Sequence, residues 1–483
     1  MRKMDTRKKK LIGIFAFVLL VSLLLACGKP KATPTPEPTA TFTPTNTPMP
    51  TNTSVPTNTP APTAIPTKAQ PPTPTKAPAV PTPTKQTTVP PTDTSALPKG
   101  LVVLSHTGFV DQDGSVNIVG QVLNNDSINY QYIEIKATLT DKEGKFLAEE
   151  STYVYVDILE PGQKSPFRLT IWEPPANLDK YELAASGTKT NDKPVAGLEF
   201  VQVFDQGNKE DNSWTLIGEV KYTGAQIIES PKIAVTLYDA DGNVVDTGFA
   251  YAERSLMTKD KISPFELYIS NVHGKPTRYE AVISGSIAPQ WQIEKAAQVE
   301  LTDIDYYIDS FGDLVIVGEV KNADQSNVEY IKVFASIYDK SDKLVAVGWS
   351  YAWADILRPG EVSPFKIDIF DTPPEADHWT VWVQGTKTEE QPVGNLVFAN
   401  VDHKLENGIA TFSGTIRNDG KETMEYIEVA VTIYDKEGKV VMVDWDWLEG
   451  ELAPKGTMDF EFDVKVPDTA TNFELYVKGS VKE

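Results

Sequence analysis

The chain has 483 residues, more than one hydrophobic core accommodates, since cores stop growing at roughly 250–300 residues, so several domains are expected. Its net charge of −22 is unevenly placed: the first 99 residues hold 12 basic against 3 acidic side chains, which leaves about −31 on residues 100–483. That sign argues against nucleic acid as a partner, because phosphate binding needs clustered Lys and Arg, and no basic run follows residue 10. Cys27 is the only cysteine, so no disulfide within the chain staples these domains and their cores hold by burial.

The first predicted element is an address. Arg2, Lys3 and the basic cluster Arg7 to Lys10 precede 16 apolar residues, 11–26, which is the layout of a secretory signal peptide (residues 1–26). A membrane-spanning helix needs ~20 apolar residues and fits this short stretch less well. The end of the stretch and the residue after it, Leu24-Leu25-Ala26-Cys27, resemble the lipobox of bacterial lipoproteins. The resemblance implies cleavage between Ala26 and Cys27, a lipid on the Cys27 sulfur with palmitate-type acyl chains, and anchorage at the extracytoplasmic face of the membrane. One acyl chain holds a protein only marginally, whereas a diacylglyceryl group supplies the two that stable anchoring takes.

Residues 27–99 follow as a tract of Pro, Thr, Ala and short polar residues that has too little apolar content to form a core. It reads as a disordered Pro/Thr-rich linker, extended as polyproline II at ~3.1 Å per residue and able to carry domains through a cell wall. Its threonines are either O-glycan acceptors or part of a bare hydrophilic spacer.

Everything after residue 99 repeats. Gly120, Gly218, Gly318 and Gly414 stand 98, 100 and 96 residues apart, and each is followed after 21 residues by Asp141, Asp239, Asp339 or Asp435. A phenylalanine comes next, 26, 26, 26 and 25 residues on, at Phe167, Phe265, Phe365 and Phe460, and a glycine closes each unit at Gly187, Gly285, Gly385 and Gly479. Between these landmarks apolar residues alternate with period two, as in Ile118/Gly120/Val122, Ile133/Ile135/Ala137/Leu139 and Ile427/Val429/Val431/Ile433, so each strand is expected to present one apolar face. Six or seven short strands per unit and no helical window predict an all-β fold of tandem immunoglobulin/fibronectin-like antiparallel β-sandwich modules, with a closed small barrel as the alternative. The expected units are residues 100–190, 195–288, 297–388 and 394–483. Each mid-strand glycine is expected to make room for an aromatic ring from the facing sheet.

The segments VTLYD (235–239), SIYD (336–339) and VTIYD (431–435), each leading to an L-x-PG-x-x-SPF-type stretch, resemble the FxLYD domain of bacterial and archaeal surface proteins. The leading Phe is absent from every copy, and copy one has Thr140 in place of the Tyr. The resemblance implies a small all-β extracytoplasmic module without catalytic residues.

Two patterns offer chemistry. Asp239-Ala-Asp-Gly-Asn243 begins like a calcium loop, but Asn243 and Ala250 occupy its fifth and twelfth positions, so this and its counterparts read as hairpin turns, with no metal expected. Aromatic residues recur ten and twelve positions past the repeat aspartate: Phe249 and Tyr251, Trp349 and Tyr351, Trp445 and Trp447, with Tyr153 at the twelfth position of copy one. Their parity puts both positions on one strand face, which reads as core; exposed, they would form a platform for sugar rings. Trp353 adds to this density, so Trp349, Tyr351, Trp353, Trp445 and Trp447 are the candidate binding residues. The four histidines, His106, His273, His378 and His403, occupy non-equivalent positions, and no nucleophile elbow, zinc-protease helix or phosphate loop is present. The expectation is a lipid-anchored surface protein that is not an enzyme and takes no cofactor. Its modules would serve binding, adhesion or spacing, with a cell-wall glycan or an extracellular protein as ligand. The alternative is a ligand-capture protein that uses the aromatic face and serves a transporter.

Overall fold

A computed structural model describes residues 97–209 and 211–482. The expected signal peptide, the Ala26/Cys27 cleavage and lipid site, and the linker up to residue 96 lie outside the described residues.

The first module sets the pattern. Strands β1 (Leu101–Val110), β2 (Val116–Asn124) and β6 (Lys164–Ile171) form one antiparallel sheet in the order β1-β2-β6. The second sheet has β3 (Asn129–Thr140) at its centre, flanked by β4 (Phe146–Tyr153) and β7 (Lys180–Thr190), with the short β5 (Ile158–Leu159) on the start of β3. Ile118, Val122, Ile133, Ile135, Leu139, Phe167 and Leu169 fill the space between the sheets, so the alternation read from the sequence does face a core. Each such side chain, fully buried, contributes roughly 1.5–3 kcal/mol. Three further apolar clusters lie within residues 195–283, 297–383 and 396–477. In all four modules the two main sheets remain separate, which makes them sandwiches rather than closed barrels.

The glycine expectation needs one correction. Gly120, Gly218, Gly318 and Gly414 do each sit against a ring, but the ring belongs to the adjacent strand of the same sheet: each pairs directly with Phe167, Phe265, Phe365 or Phe460. A Cβ on Gly218 would lie 2.5 Å from Phe265 and 2.7 Å from the carbonyl oxygen of Gln202. That carbonyl belongs to a β-bulge in the first strand, repeated at Ser105, Asp303 and Asn400. The glycine therefore lies between a bulge and a phenyl ring, and only a residue without a side chain fits.

Turn chemistry follows the aspartates. Oδ1 of Asp141 accepts from the backbone N–H groups of Glu143 and Lys145, and Asp239, Asp339 and Asp435 make the same two bonds. Gly144, Gly242 and Gly438 take the left-handed conformation these turns require, and Asp342 takes it in the third copy. The sequence showed no helical window, yet one short helix, α1 (Gln290–Lys295), follows Pro289 between the second and third modules.

Candidate functional site

The most elaborate chemistry among the described residues lies where one module meets the next, and equivalent positions build all three junctions. The second strand of each of the first three modules, β2, β9 (Trp214–Tyr222) and β17 (Leu314–Asn322), is buried along nearly its whole length, not on one face as the alternation implied. One face lies on its own core. The other covers the hairpin of the following module: β11 (Lys232–Tyr238) with β12 (Val244–Tyr251), β18 (Asn327–Tyr338) with β19 (Leu344–Tyr351), or β25 (Met424–Tyr434) with β26 (Val440–Leu448).

Val119 packs on Tyr238 and Val244, and Val315 with Val317 pack on Val440 and Val443. Polar partners fix the register. Gln121 Nε2 donates to Thr236 Oγ1 at 3.0 Å and to Glu280 at 3.1 Å. At the same position in the next module, Glu219 Oε1 accepts from Ser336 Oγ at 2.7 Å and from the Tyr338 hydroxyl at 2.6 Å. Glu319 accepts from the Tyr434 hydroxyl at 2.6 Å. The tyrosine of the LYD motif is thus a junction residue. Copy one, where Thr140 replaces it, has no module ahead of it among the described residues.

The bulges serve the same contact. Ser105 Oγ, Gln202 Oε1 and Asp303 Oδ2 accept from the backbone N–H of Val244, Leu344 and Val440 at 3.2, 2.9 and 2.7 Å. Each of these N–H groups opens the acceptor strand of the next module. The bulge carbonyl forces the mid-strand glycine, and the bulge side chain reaches across the junction.

The SPF motif belongs here too. Ser165, Ser263 and Ser363 accept through Oγ from the N–H of Val156, Arg254 and Ala354. The carbonyls of Pro166, Pro264 and Pro364 accept from the N–H of Tyr155, Glu253 and Trp353. These bonds aim the segment after the fourth strand at the next module. There Tyr155 packs on Phe249, Glu253 pairs with Lys332, and Trp353 lies against Tyr476 with Lys478 above its ring. Copy four has Met458 and Asp459 where the others have Ser and Pro.

Electrostatics mark these contacts. Burial pushes the Glu219, Glu319, Glu253 and Asp246 carboxyls above their ordinary range, and their hydrogen-bond donors or cations pull them part of the way back. Asp246 is paired with Arg168 of the first module. Glu219 has hydroxyl donors and no cation beside it.

The candidate aromatic residues separate. Trp349 and Tyr351, 41 % and 45 % exposed, meet edge-on at 5.7 Å on the outer face of their sheet, with Lys332 Nζ 3.9 Å above Trp349. The core reading of these positions is therefore corrected. The register shift between Ile337 and Tyr338 sends Val345 inward and leaves Trp349 and Tyr351 outside. Trp353 is 8 % exposed, buried by the fourth module and not by its own core. Trp445 is half-buried against the third module under Lys366 at 5.4 Å, and Trp447 is exposed. They do not line one cleft.

Sequence reasoning missed Tyr132, Tyr330 and Tyr426, which occupy equivalent bulge positions with φ near 50° and expose their rings. Left-handed tyrosine is uncommon, and three copies of it displaying a ring to solvent mark a deliberate position. Its signal was present nine residues before three of the four repeat aspartates.

Fold and junctions define the class: an all-β chain of tandem antiparallel sandwich modules coupled in series. No family model matches the chain, and no curated protein matches it.

Proposed function

We propose that this chain is a lipid-anchored protein of the extracytoplasmic membrane face whose four modules act without catalysis, as a coupled spacer that holds a surface away from the membrane. The observation that carries this reading is the threefold repetition of one junction. It absorbs the motif residues that would otherwise be candidates for chemistry: the LYD tyrosines, the SPF serines and the bulge side chains. On the resemblance already described, we read the modules as FxLYD-like. The anchor is tested by expressing the full chain in a bacterium and fractionating it. The expected result is membrane association, an acylated N-terminal Cys27 by mass spectrometry, and release of Cys27→Ser. Soluble protein with an unmodified Cys27 would overturn the anchor.

A second reading, glycan capture, is favoured by one observation: Trp349, Tyr351 and Trp447 stand on the outer sheet face, where stacking on a sugar ring is open to them. Weak contacts repeated along coupled modules gain by effective concentration. Retention of the chain on immobilised cell-wall polysaccharide, lost in Trp349→Ala/Tyr351→Ala, supports it. Retention unaffected by that change removes the aromatic face from the account.

A further inference from the structure

Each junction joins a donor face, on the second strand, to an acceptor face, on the hairpin of the following module. These are different surfaces of one module, so the contact is heterologous and extends without limit unless something ends it. Two faces remain uncovered in the described residues: the donor face of the fourth module and the acceptor face of the first.

Both depart from the pattern at the positions that make the junctions. On β24 (Ile409–Asn418), Thr411, Ser413 and Thr415 replace Val315, Val317 and Glu319, and the strand alternates in burial where its three counterparts are buried along nearly their whole length. The hydroxyls of Thr411 and Thr415 donate to Asp463 and Asp459 on the neighbouring β27 (Thr457–Lys465), at 2.6 and 2.8 Å. Between those aspartates stands exposed Glu461, at the position from which Arg168 and Lys366 reach across their junctions to Asp246 and Asp444 and which Glu266 occupies in the second module. On the first module, Phe146 is 58 % exposed where Val244, Leu344 and Val440 are fully covered. Beside it Glu149, paired with Lys136 at 3.2 Å, replaces the buried Val443, and Thr140 replaces the tyrosine.

We propose that these two faces are terminators: the junction surface fits a second copy of this chain, head to tail, and the hydroxyl and carboxylate residues at the outer donor and acceptor positions prevent its addition. Approach of the two ends brings Asp459, where the first three modules have proline, and Glu461 toward Glu149. Like charges repel, and closing the contact would take these carboxylates out of water with no cation from the other copy facing them.

The test uses the full chain with Cys27→Ser, so that no acyl group contributes to association. A donor-restored variant copies the third module: Thr411→Val, Ser413→Val, Thr415→Glu, Asp459→Pro and Glu461→Lys. An acceptor-restored variant copies the fourth: Thr140→Tyr, Phe146→Val and Glu149→Val. Sedimentation is expected to show each alone as a monomer, their mixture as a species of doubled mass, and a chain carrying both sets as a series that lengthens with concentration. Circular dichroism and melting establish that each variant is folded. Should the fivefold donor variant melt early, Ser413→Val/Thr415→Glu supplies the donor arm. The proposal is overturned if the parent chain self-associates end to end, or if folded donor and acceptor variants remain separate when mixed.

Discussion

Glu219 and Tyr338 belong to different modules, yet the hydroxyl of the half-buried tyrosine donates at 2.6 Å to Oε1 of Glu219, which is 3 % exposed. For Tyr338 and Tyr434 the motif hydroxyl is explained by the carboxylate it meets next door, whereas Tyr238, which faces Gln121, donates to Glu280 of its own module. Tyr338→Phe leaves Glu219 with Ser336 alone, and loss of a hydrogen bond to a buried charged group costs about 1–3 kcal/mol. Hydrogen exchange of the Leu344 amide, which donates to Gln202 across the same junction, should lose ~5–150-fold in protection. The Val440 amide, bonded to Asp303 at the next junction, should be unchanged. Equal loss at both sites would show that the effect is global and not a property of this contact.

The same carboxylate gives the junction a pH dependence of defined sign. Burial raises the Glu219 pKa above its ordinary 4.5, so folding favours the protonated form. Its contribution is fully present below the ordinary glutamate range and is lost as pH rises through the elevated value. The turn aspartates Asp239 and Asp339 behave oppositely: hydrogen bonds to their carboxylates hold them below 3.8, and what they contribute is lost as pH falls through the depressed values. Protection of Leu344 measured over a pH series should therefore strengthen on mild acidification in the parent chain. Subtracting the same series for Glu219→Gln removes the part due to Glu253, which also lies above its usual range. Parallel curves for the two proteins would refute the assignment to Glu219.

Gly318 tests the link between core and junction. A Cβ there would collide with the carbonyl oxygen of Asp303 and lie 2.8 Å from the Phe365 ring. Gly318→Ala should destabilise the third module by about 1–3 kcal/mol, the usual cost of overpacking. Trimming the ring in Gly318→Ala/Phe365→Leu should not restore stability, because the backbone of the bulge cannot yield as a side chain does. The alanine should also displace Asp303 and expose the Val440 amide to exchange. Full recovery in the double variant, read from thermal melting, would mean that the ring alone dictates the glycine.

What the sequence made legible was periodic. Ile133, Ile135 and Leu139 share the core face as their spacing indicates, and the aspartate turns form as their composition indicates. Pairing between distant strands was less accessible: Gly318 and Phe365 are neighbours because β17 pairs with β21 (Val362–Ile369), and no local pattern distinguishes that from a ring on the opposite sheet. Parity placed Trp349 and Tyr351 on one face, as found, but it could not say which face was inward, and the register shift before them leaves that face outside. The junctions left a signal that was passed over. Leu314-Val315-Ile316-Val317 is a continuous apolar run, the mark of a strand buried on both faces, whereas Ala410-Thr411-Phe412-Ser413 alternates.

Tyr330 separates stability from display. Its φ of 50° is one that a side-chain-bearing residue adopts at a cost of roughly 1–2 kcal/mol and glycine adopts freely. Exposed as it is, the ring gains little from packing, although it lies close enough to Tyr351 to influence that hydroxyl's ionisation. In Tyr330→Gly the relief of strain opposes the extra entropy of an unfolded glycine, ~0.5–1 kcal/mol, so the melting temperature should stay level or rise. If the ring is kept for stacking, the same variant should lose retention on any immobilised polysaccharide that holds the parent chain, and Tyr330→Trp should keep it. A fall in melting temperature would show instead that Tyr330 is there for packing. In copy two, Ser230 occupies the position and a break separates the short β10 (Ile228–Glu229) from β11. Transplanting that serine into the third module should therefore abolish retention just as the glycine does, while leaving the strained backbone unrelieved.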